Sequence, residues 1–166
     1  MIRKLYKNML RKKYSFFSLR KVKSHGNGVF VNGKCSFTSN TIIGNNCHFN
    51  GMKITGNGKV TIGDNFHSGT GCMMITSNHN YDTGKSIPYD ETMVSKDIII
   101  EDNVWLGVNV LILGGVKIGE GAIIQAGSVV TKDIGACEIA GGHPAKAFKK
   151  RDEEHYYELK SMKKFF

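Results

Sequence analysis

Six aliphatic residues recur at a spacing of six: Ile100, Leu106, Ile112, Ile118, Ile124 and Val130. A helix turns about 100° per residue, so this period walks an apolar set around the cylinder and builds no stripe. One long strand fails too, because position i+2 would share the buried face. Asp102, Val108, Gly114, Glu120, Ala126 and Lys132 stand there. The chain must turn within every hexad.

Position i+3 marks the turn. It reads Asn103, Asn109, Gly115, Gly121, Gly127 and Asp133, the residue types that best tolerate positive φ. Position i+4 reads Val104, Val110, Val116, Ala122, Ser128 and Ile134, small or β-branched residues suited to a narrow interior. The pattern predicts very short strands joined by similar corners, a hexapeptide solenoid. Val31, Phe37, Ile43 and Phe49 carry the same phase, with corners at Asn40 and Asn46 and interior Cys35, Thr41 and Cys47. A one-residue slip is expected near Gly56-Asn57-Gly58. Ile62, Ser68 and Met74 then resume the phase, with corners at Asn65 and Gly71. Residues 31–76 and 98–135 therefore read as one solenoid, interrupted by residues 77–97.

Several segments carry a family likeness: VTIGDN (60–65), SNHNYD (77–82), DNVWLG (102–107), GAIIQAGSVVTKDI (121–134) and GGHPAKAFKKR (141–151). Together they resemble the hexapeptide-repeat acyltransferases, in the sugar O-acetyltransferase branch of galactoside, maltose and colanic-acid type. The likeness spans roughly three quarters of the chain. It implies an all-β fold, a left-handed parallel β-helix with short N-terminal and C-terminal extensions. The expected organisation is a basic arm over 1–30, the β-helix over 31–135 with its insertion at 77–97, and a C-terminal segment and helix over 136–166.

The resemblance also assigns roles. His79, in the one long interruption, matches the general base that takes a proton from an acceptor hydroxyl. Imidazole suits that task near neutral pH, and functional residues concentrate in loops held by rigid scaffolds. Asn50 and Asp82 match acceptor-side positions, although a corner Asn and a turn-forming Asp are equally ordinary roles. Acetyl-CoA would lie between subunits of a homotrimer. Trp105 would wall its acetyl end, and backbone groups near Gly107, Val108 and Ala126 would meet the pantetheine, thioester and developing oxyanion. Thr131 and Lys132 match a cofactor-binding pair. Lys146 and Lys149 match positions that meet phosphate, where the family often carries Arg. Lysine keeps the charge and loses the planar fork. No serine or cysteine forms a nucleophile motif beside His79, so direct transfer is expected.

Charge narrows the picture. The net charge is +9, yet residues 1–23 hold nine Lys/Arg and no acid, and the rest of the chain is balanced. This arm reads first as a cap on the open solenoid end. A weak membrane-surface association is the alternative. Nucleic acid has only charge in its favour and is not expected. Cys35, Cys47 and Cys72 sit at interior positions and read as packing residues of a reduced cytoplasm. The six histidines lack the H-x4-H pair of a related zinc enzyme, the γ-class carbonic anhydrase, so no metal is expected. His48 and His67 share position i+5 and should stack on an outer face, as solvated surface residues, with a place lining the acceptor cleft as the alternative. No signal peptide or membrane-spanning run is read. The expected activity is O-acetylation of a saccharide in a capsule, exopolysaccharide or other glycan, in the cytoplasm or peripherally at the inner membrane face. The alternatives are N-acetylation of a nucleotide-linked amino sugar and acetylation of a drug.

Overall fold

Three parallel sheets wrap one narrow interior, and each strand pairs with the strand one coil above and below it. This is a computed structural model describing residues 2–166, with side chains from residue 5 onward. Met1 and the side chains of residues 2–4, part of the arm read over 1–30, lie outside the described residues.

Helix α1 (Ile2–Leu19) precedes the coils. The first coil holds β1 (Ser24–His25) and β2 (Phe30–Val31). The second holds β3 (Thr41–Ile43), β4 (His48–Phe49) and β5 (Met52–Thr55). The third holds β6 (Val60–Ile62), β7 (His67–Ser68) and β8 (Cys72–Ile75). A two-stranded antiparallel ribbon, β9 (Ser77–His79) with β10 (Met93–Ser95), leaves the prism there. The fourth coil is β11 (Ile98–Ile100), β12 (Trp105–Leu106) and β13 (Leu111–Leu113). The fifth is β14 (Lys117–Ile118), β15 (Ile123–Ile124) and β16 (Val129–Val130). The first sheet is β1-β3-β6-β11-β14. The second begins β2-β4-β7-β12-β15, and the third is β5-β8-β13-β16.

The hexad residues stack as the period requires. Ile100, Leu106, Ile112, Ile118, Ile124 and Val130 are all buried, as are Val104, Val110, Val116, Ala122, Ser128 and Ile134 at i+4. In-register pairs such as Ile100 with Ile118 and Leu106 with Ile124 repeat every 18 residues. Each buried aliphatic side chain contributes roughly 1.5–3 kcal/mol of transfer free energy. The thin prism is therefore held by a column of apolar side chains. Burial pushes the Cys47 thiol up to about 11 and raises those of Cys35 and Cys72. These cysteines act as small hydrophobes.

Corner geometry departs from the expectation at two places. Asn46, Asn65, Asn103 and Asn109 take φ of 52 to 60°, which these short polar side chains tolerate. Asn40 and Asp133 are not among the positive-φ residues. They brace their corners through side chains instead. The Asn40 amide donates to Asn57 O at 2.7 Å, and Asp133 Oδ1 accepts from the Lys117 N–H at 2.7 Å.

The slip is also more than one irregularity. Phe49 pairs with Ser68 and Ile54 with Met74. The second coil thus spends five residues where the third spends six, and Gly51 makes the shortcut at φ 129°. From Ile54 to Ile62 the chain then spends eight. One residue lost and two gained give the net slip of one; only the gain lies near Gly56-Asn57-Gly58.

Both ends are covered. The Val31 N–H donates to Ser15 Oγ at 3.1 Å, and Ser18 Oγ donates to Cys35 O at 3.0 Å, seating α1 on the first coil. Tyr14, Leu19 and Val22 pack against the core beneath it. At the other end the hexads stop at Ile134, and nothing in their pattern predicts the hairpin β17 (Glu138–Gly142) and β18 (Ala145–Lys150). It extends the second sheet from β15 and closes the prism. Helix α2 (Glu153–Ser161) follows, with Asp152 as its N-cap. Tyr156 Oη donates to Glu120 at 2.8 Å and accepts from Asn103 at 2.9 Å, while Arg151 Nε donates to Gly121 O at 2.6 Å. Tyr156 and Leu159 are partly covered, whereas Tyr157 and Met162 stay exposed. No helix among the described residues is long and apolar enough to cross a membrane.

Candidate active site

The interruption carries polar groups where the hexads carry apolar ones. His79 ends β9 opposite Met93. Its ring lies face to face with Tyr89, centroids 3.8 Å apart and planes 14° from parallel. It opens into a cleft of about 210 Å³ lined by Thr76, Asn78, Asn80, Tyr81, Asp82, Thr83, Val94, Lys96 and Gly114. Asp82 shares that cleft with His79. Two short-range devices shape the loop. Asn80 Oδ1 accepts from the backbone N–H and hydroxyl of Thr83. Asp90, buried, accepts from Lys85 N, Thr92 N and the Thr92 hydroxyl. The Thr92 hydroxyl first, then those two backbone donors, hold the Asp90 carboxyl below its usual range.

Asn50, Gly107, Val108 and Ala126 share a different place, the corner between the second and third sheets. The Asn50 amide donates to Ser68 O at 2.7 Å and accepts from Asn32 at 3.1 Å. It thereby behaves as a corner Asn while remaining exposed. One coil on, a Cβ at Gly69 would sit 2.7 Å from Val108 N; one coil further, a Cβ at Gly107 would sit 2.5 Å from Ala126 N. Glycine is required at both for the backbones to approach. The N–H groups of Gly107, Asn109, Gln125 and Gly127 donate along the coils. Among the described residues, those of Val108 and Ala126 have no hydrogen-bond partner. This corner offers a row of free backbone donors, the arrangement that suits a carbonyl or an oxyanion.

Trp105 stands on the outer face of the second sheet, 53% exposed and in register between His67 and Ile123. It helps line a hollow of about 380 Å³ with His67, Tyr156, Leu159 and Phe166. His48 and His67 stack at 4.5 Å, 8° from parallel. They are not solvated surface residues as expected, because Phe30 and Phe166 flank them and half bury them. Burial lowers both pKa values from the usual histidine range, with Arg11 adding to the effect at His48 and His48 at His67.

Thr131 and Lys132 follow β16, exposed at the far edge of the third sheet. Lys146 and Lys149 lie exposed on β18, across from Gly141 and Ile139. The hairpin reaches back to the last coil, where Gly142 N donates to Ser128 Oγ at 3.1 Å and His143 Nε2 meets Gly127 O.

One chain does not unite these groups. The corner precedes the strands of the third sheet, whereas His79 follows β8 of that sheet. Four strand residues, about 13 Å at 3.3 Å each, separate the histidine edge from the amide edge. Among the described residues, no cluster of three His, Cys, Asp or Glu is arranged to hold a metal ion. The sequence reading missed Tyr89 and Asp90. Asp90 had a legible signal, a Thr two residues on, which is the spacing of an Asx turn. Tyr89 had none.

The model of the bacterial transferase hexapeptide, six repeats, matches residues 97–132. The solved structure of a galactoside acetyltransferase in complex with coenzyme A is 32% identical, with a TM-score of 0.68. The match covers 80% of this chain and 67% of that one. The chain belongs to the hexapeptide-repeat acyltransferase family. Galactoside O-acetyltransferase of Escherichia coli K12 is 35% identical over 125 residues, 74% of this chain and 61% of that protein. Chloramphenicol acetyltransferase of Klebsiella aerogenes is 35% identical over 114 residues, 58% of this chain and 54% of that protein. The chain spans between 49% and 61% of the length of the first curated relatives it matches.

Proposed function

We propose that this chain transfers an acetyl group from acetyl-CoA to a saccharide hydroxyl, in a unit of a capsule, exopolysaccharide or other glycan. The observation that carries this reading is the presentation of His79. Its ring is held flat against Tyr89 in an open cleft beside Asp82. His79 Nε2 or Nδ1 takes the acceptor proton as the hydroxyl oxygen attacks the thioester carbon. The carbonyl oxygen gains negative charge and is met by the free N–H at Val108. The C–S bond then breaks, and the thiolate of coenzyme A leaves with the proton returned by the imidazolium. Asn50 and Asp82 meet the acceptor. Trp105, Gly107, Ala126, Thr131 and Lys132 meet the donor, and Lys146 and Lys149 its phosphates.

The two edges of the third sheet meet only across two copies. A homotrimer, in which each copy's His79 edge faces its neighbour's amide corner, completes three sites. The apolar outward residues Trp105, Leu111, Ile123 and Val129 supply flank for that contact. The reaction runs in the cytoplasm where acetyl-CoA is available, with a weak association of residues 1–23 at the inner membrane face. The likeness to chloramphenicol acetyltransferase, at the same identity as to the galactoside enzyme, favours a drug hydroxyl as the second reading.

The test is acceptor-dependent release of coenzyme A thiol against oligosaccharides, nucleotide-linked amino sugars and chloramphenicol. A saccharide product whose acetyl group is removed by mild alkali is expected. An alkali-stable amide would move the assignment to N-acetylation, and turnover of chloramphenicol alone would move it to the drug. No acceptor-dependent release at all would end the reading.

A further inference from the structure

Helix α1 has two faces, and only one of them meets the protein. Ser15, Ser18, Tyr14 and Leu19 face the first coil, and the Arg11 guanidinium lies 4.8 Å over the Phe30 ring. At 100° per residue, Leu5, Met9 and Phe16 fall within about 40° of one another on the opposite side, with Tyr6 and Phe17 beside them. Leu5 is 72% exposed, Met9 59% and Phe16 64%. Lys12, Lys13 and Arg20 are exposed on the same arc.

We propose that this outer face of α1 docks on an anionic lipid surface. The inference deepens the peripheral placement given above and does not depend on the acetyl-transfer chemistry. Charge complementarity selects the occupant. The first acidic residue of the chain is Asp64, and residues 1–63 carry twelve Lys/Arg. The whole end of the prism that carries α1 is therefore positive, and it meets an anionic headgroup layer without an opposing charge. A second copy docked through the same face would set Lys12, Lys13 and Arg20 against their own equivalents. Shape points the same way. Leu5, Met9 and Phe16 project from a convex helix, as suits insertion among acyl chains and headgroups, and only Phe17, at the margin of the face, borders a hollow, with Lys13 and Arg20. Aliphatic and aromatic tips at one level with lysines beside them match the layering of a bilayer interface. Cap and dock are then the two sides of one helix: the inner face seats it on the first coil, and the outer face remains for the membrane.

The experiment is flotation of the full chain with vesicles of phosphatidylcholine, with and without one-third phosphatidylglycerol. Partitioning should favour the anionic vesicles by about tenfold or more, and should weaken as salt rises from about 0.1 M to about 0.5 M. The pair Leu5→Gln with Phe16→Gln, and separately the pair Lys12→Gln with Lys13→Gln, should each reduce partitioning several-fold. Melting temperature and acetyl-CoA turnover in solution should stay at parental values, because Leu5, Lys12 and Phe16 face away from the coil and the exposed Lys13 only rims a hollow beside it. Equal partitioning to both vesicle types, or variants that bind like the parent, would overturn the proposal. So would a self-association in light scattering, or binding to immobilised polyglutamate without vesicle binding, if abolished by the same variants. Those outcomes would name a second copy or an acidic protein as the occupant.

Discussion

Residues 98–130 and residues 77–97 are neighbours in the chain and opposites in physics. In the first stretch every sixth residue is buried, and backbone N–H groups are taken up by the adjacent coil. In the second nearly every side chain is exposed. Order there comes from the short β9–β10 ribbon, Asn80, Asp90 and one ring stack. The repeat sets position, and the proposed chemistry falls to the interruption. The corner at Val108 and Ala126 joins the two roles, for there the repeat itself leaves donors free.

The sharpest way to break this division is His79→Ala. A positioned general base contributes about 10²- to 10⁴-fold to kcat. We expect that loss in steady-state turnover, with melting temperature and acetyl-CoA affinity nearly unchanged. His79 lies outside the apolar column and would meet the donor only at its reacting end. Near-parental turnover would end its role as base. A destabilised protein with kcat retained would make it a structural residue of the loop.

Leu106→Ala tests the other side. Leu106 is fully buried, stacked between Ser68 and Ile124. Truncating a leucine in such a column costs about 2–5 kcal/mol, because a rigid prism cannot collapse into the gap. The melting temperature should fall steeply, while the folded fraction keeps its kcat. A large kcat loss with stability unchanged would contradict the division of labour. Denaturant unfolding, read beside turnover below the transition, separates the two.

How much of this was legible follows the same line. The period of six decided the solenoid because burial repeats with the coil and leaves a mark at each repeat. Corners were legible as residue types but not as mechanisms. Asn46 and Asn65 turn through the backbone, whereas Asn40 and Asp133 brace through side chains. The shortcut at Asn50-Gly51 was hidden because a loss of one and a gain of two look like a single slip. The closing hairpin left no periodic sign, since an antiparallel pair does not need the hexad. The place of His79 in the interruption was legible, and its role as base is the proposal made above. Tyr89 was not, because stacking depends on how the loop returns, and Asp90 needed its Thr92 partner to be noticed.

A third prediction concerns the donor's phosphates. Lys132→Ala and Lys146→Ala each remove an exposed positive charge expected beside phosphate, a contact to a charged group worth about 1.5–3 kcal/mol. Acetyl-CoA affinity by calorimetry should weaken accordingly, with acceptor affinity far less affected. Solvent exposure of both lysines puts the effect at the lower end of that range. Unchanged donor affinity in both variants would remove the two lysines from the site.

The smallest expected effect sharpens the comparison, because it turns on histidines that belong to the repeat. Burial first, and then Arg11 at His48 and His48 at His67, hold both imidazoles below the usual histidine range. The unfolded chain therefore takes up these protons at a higher pH than the folded one. Stability is full above the ordinary histidine value of about 6.5 and declines as pH falls from there toward the lowered folded values. The melting temperature should drop over that window. His48→Gln with His67→Gln should flatten the drop while turnover at neutral pH stays near parental, since the pair stacks under Phe30 and Phe166 on the second sheet. A double variant that keeps the parental slope would place the linkage elsewhere. One that loses turnover at neutral pH would draw this outer face into the chemistry now assigned to the interruption.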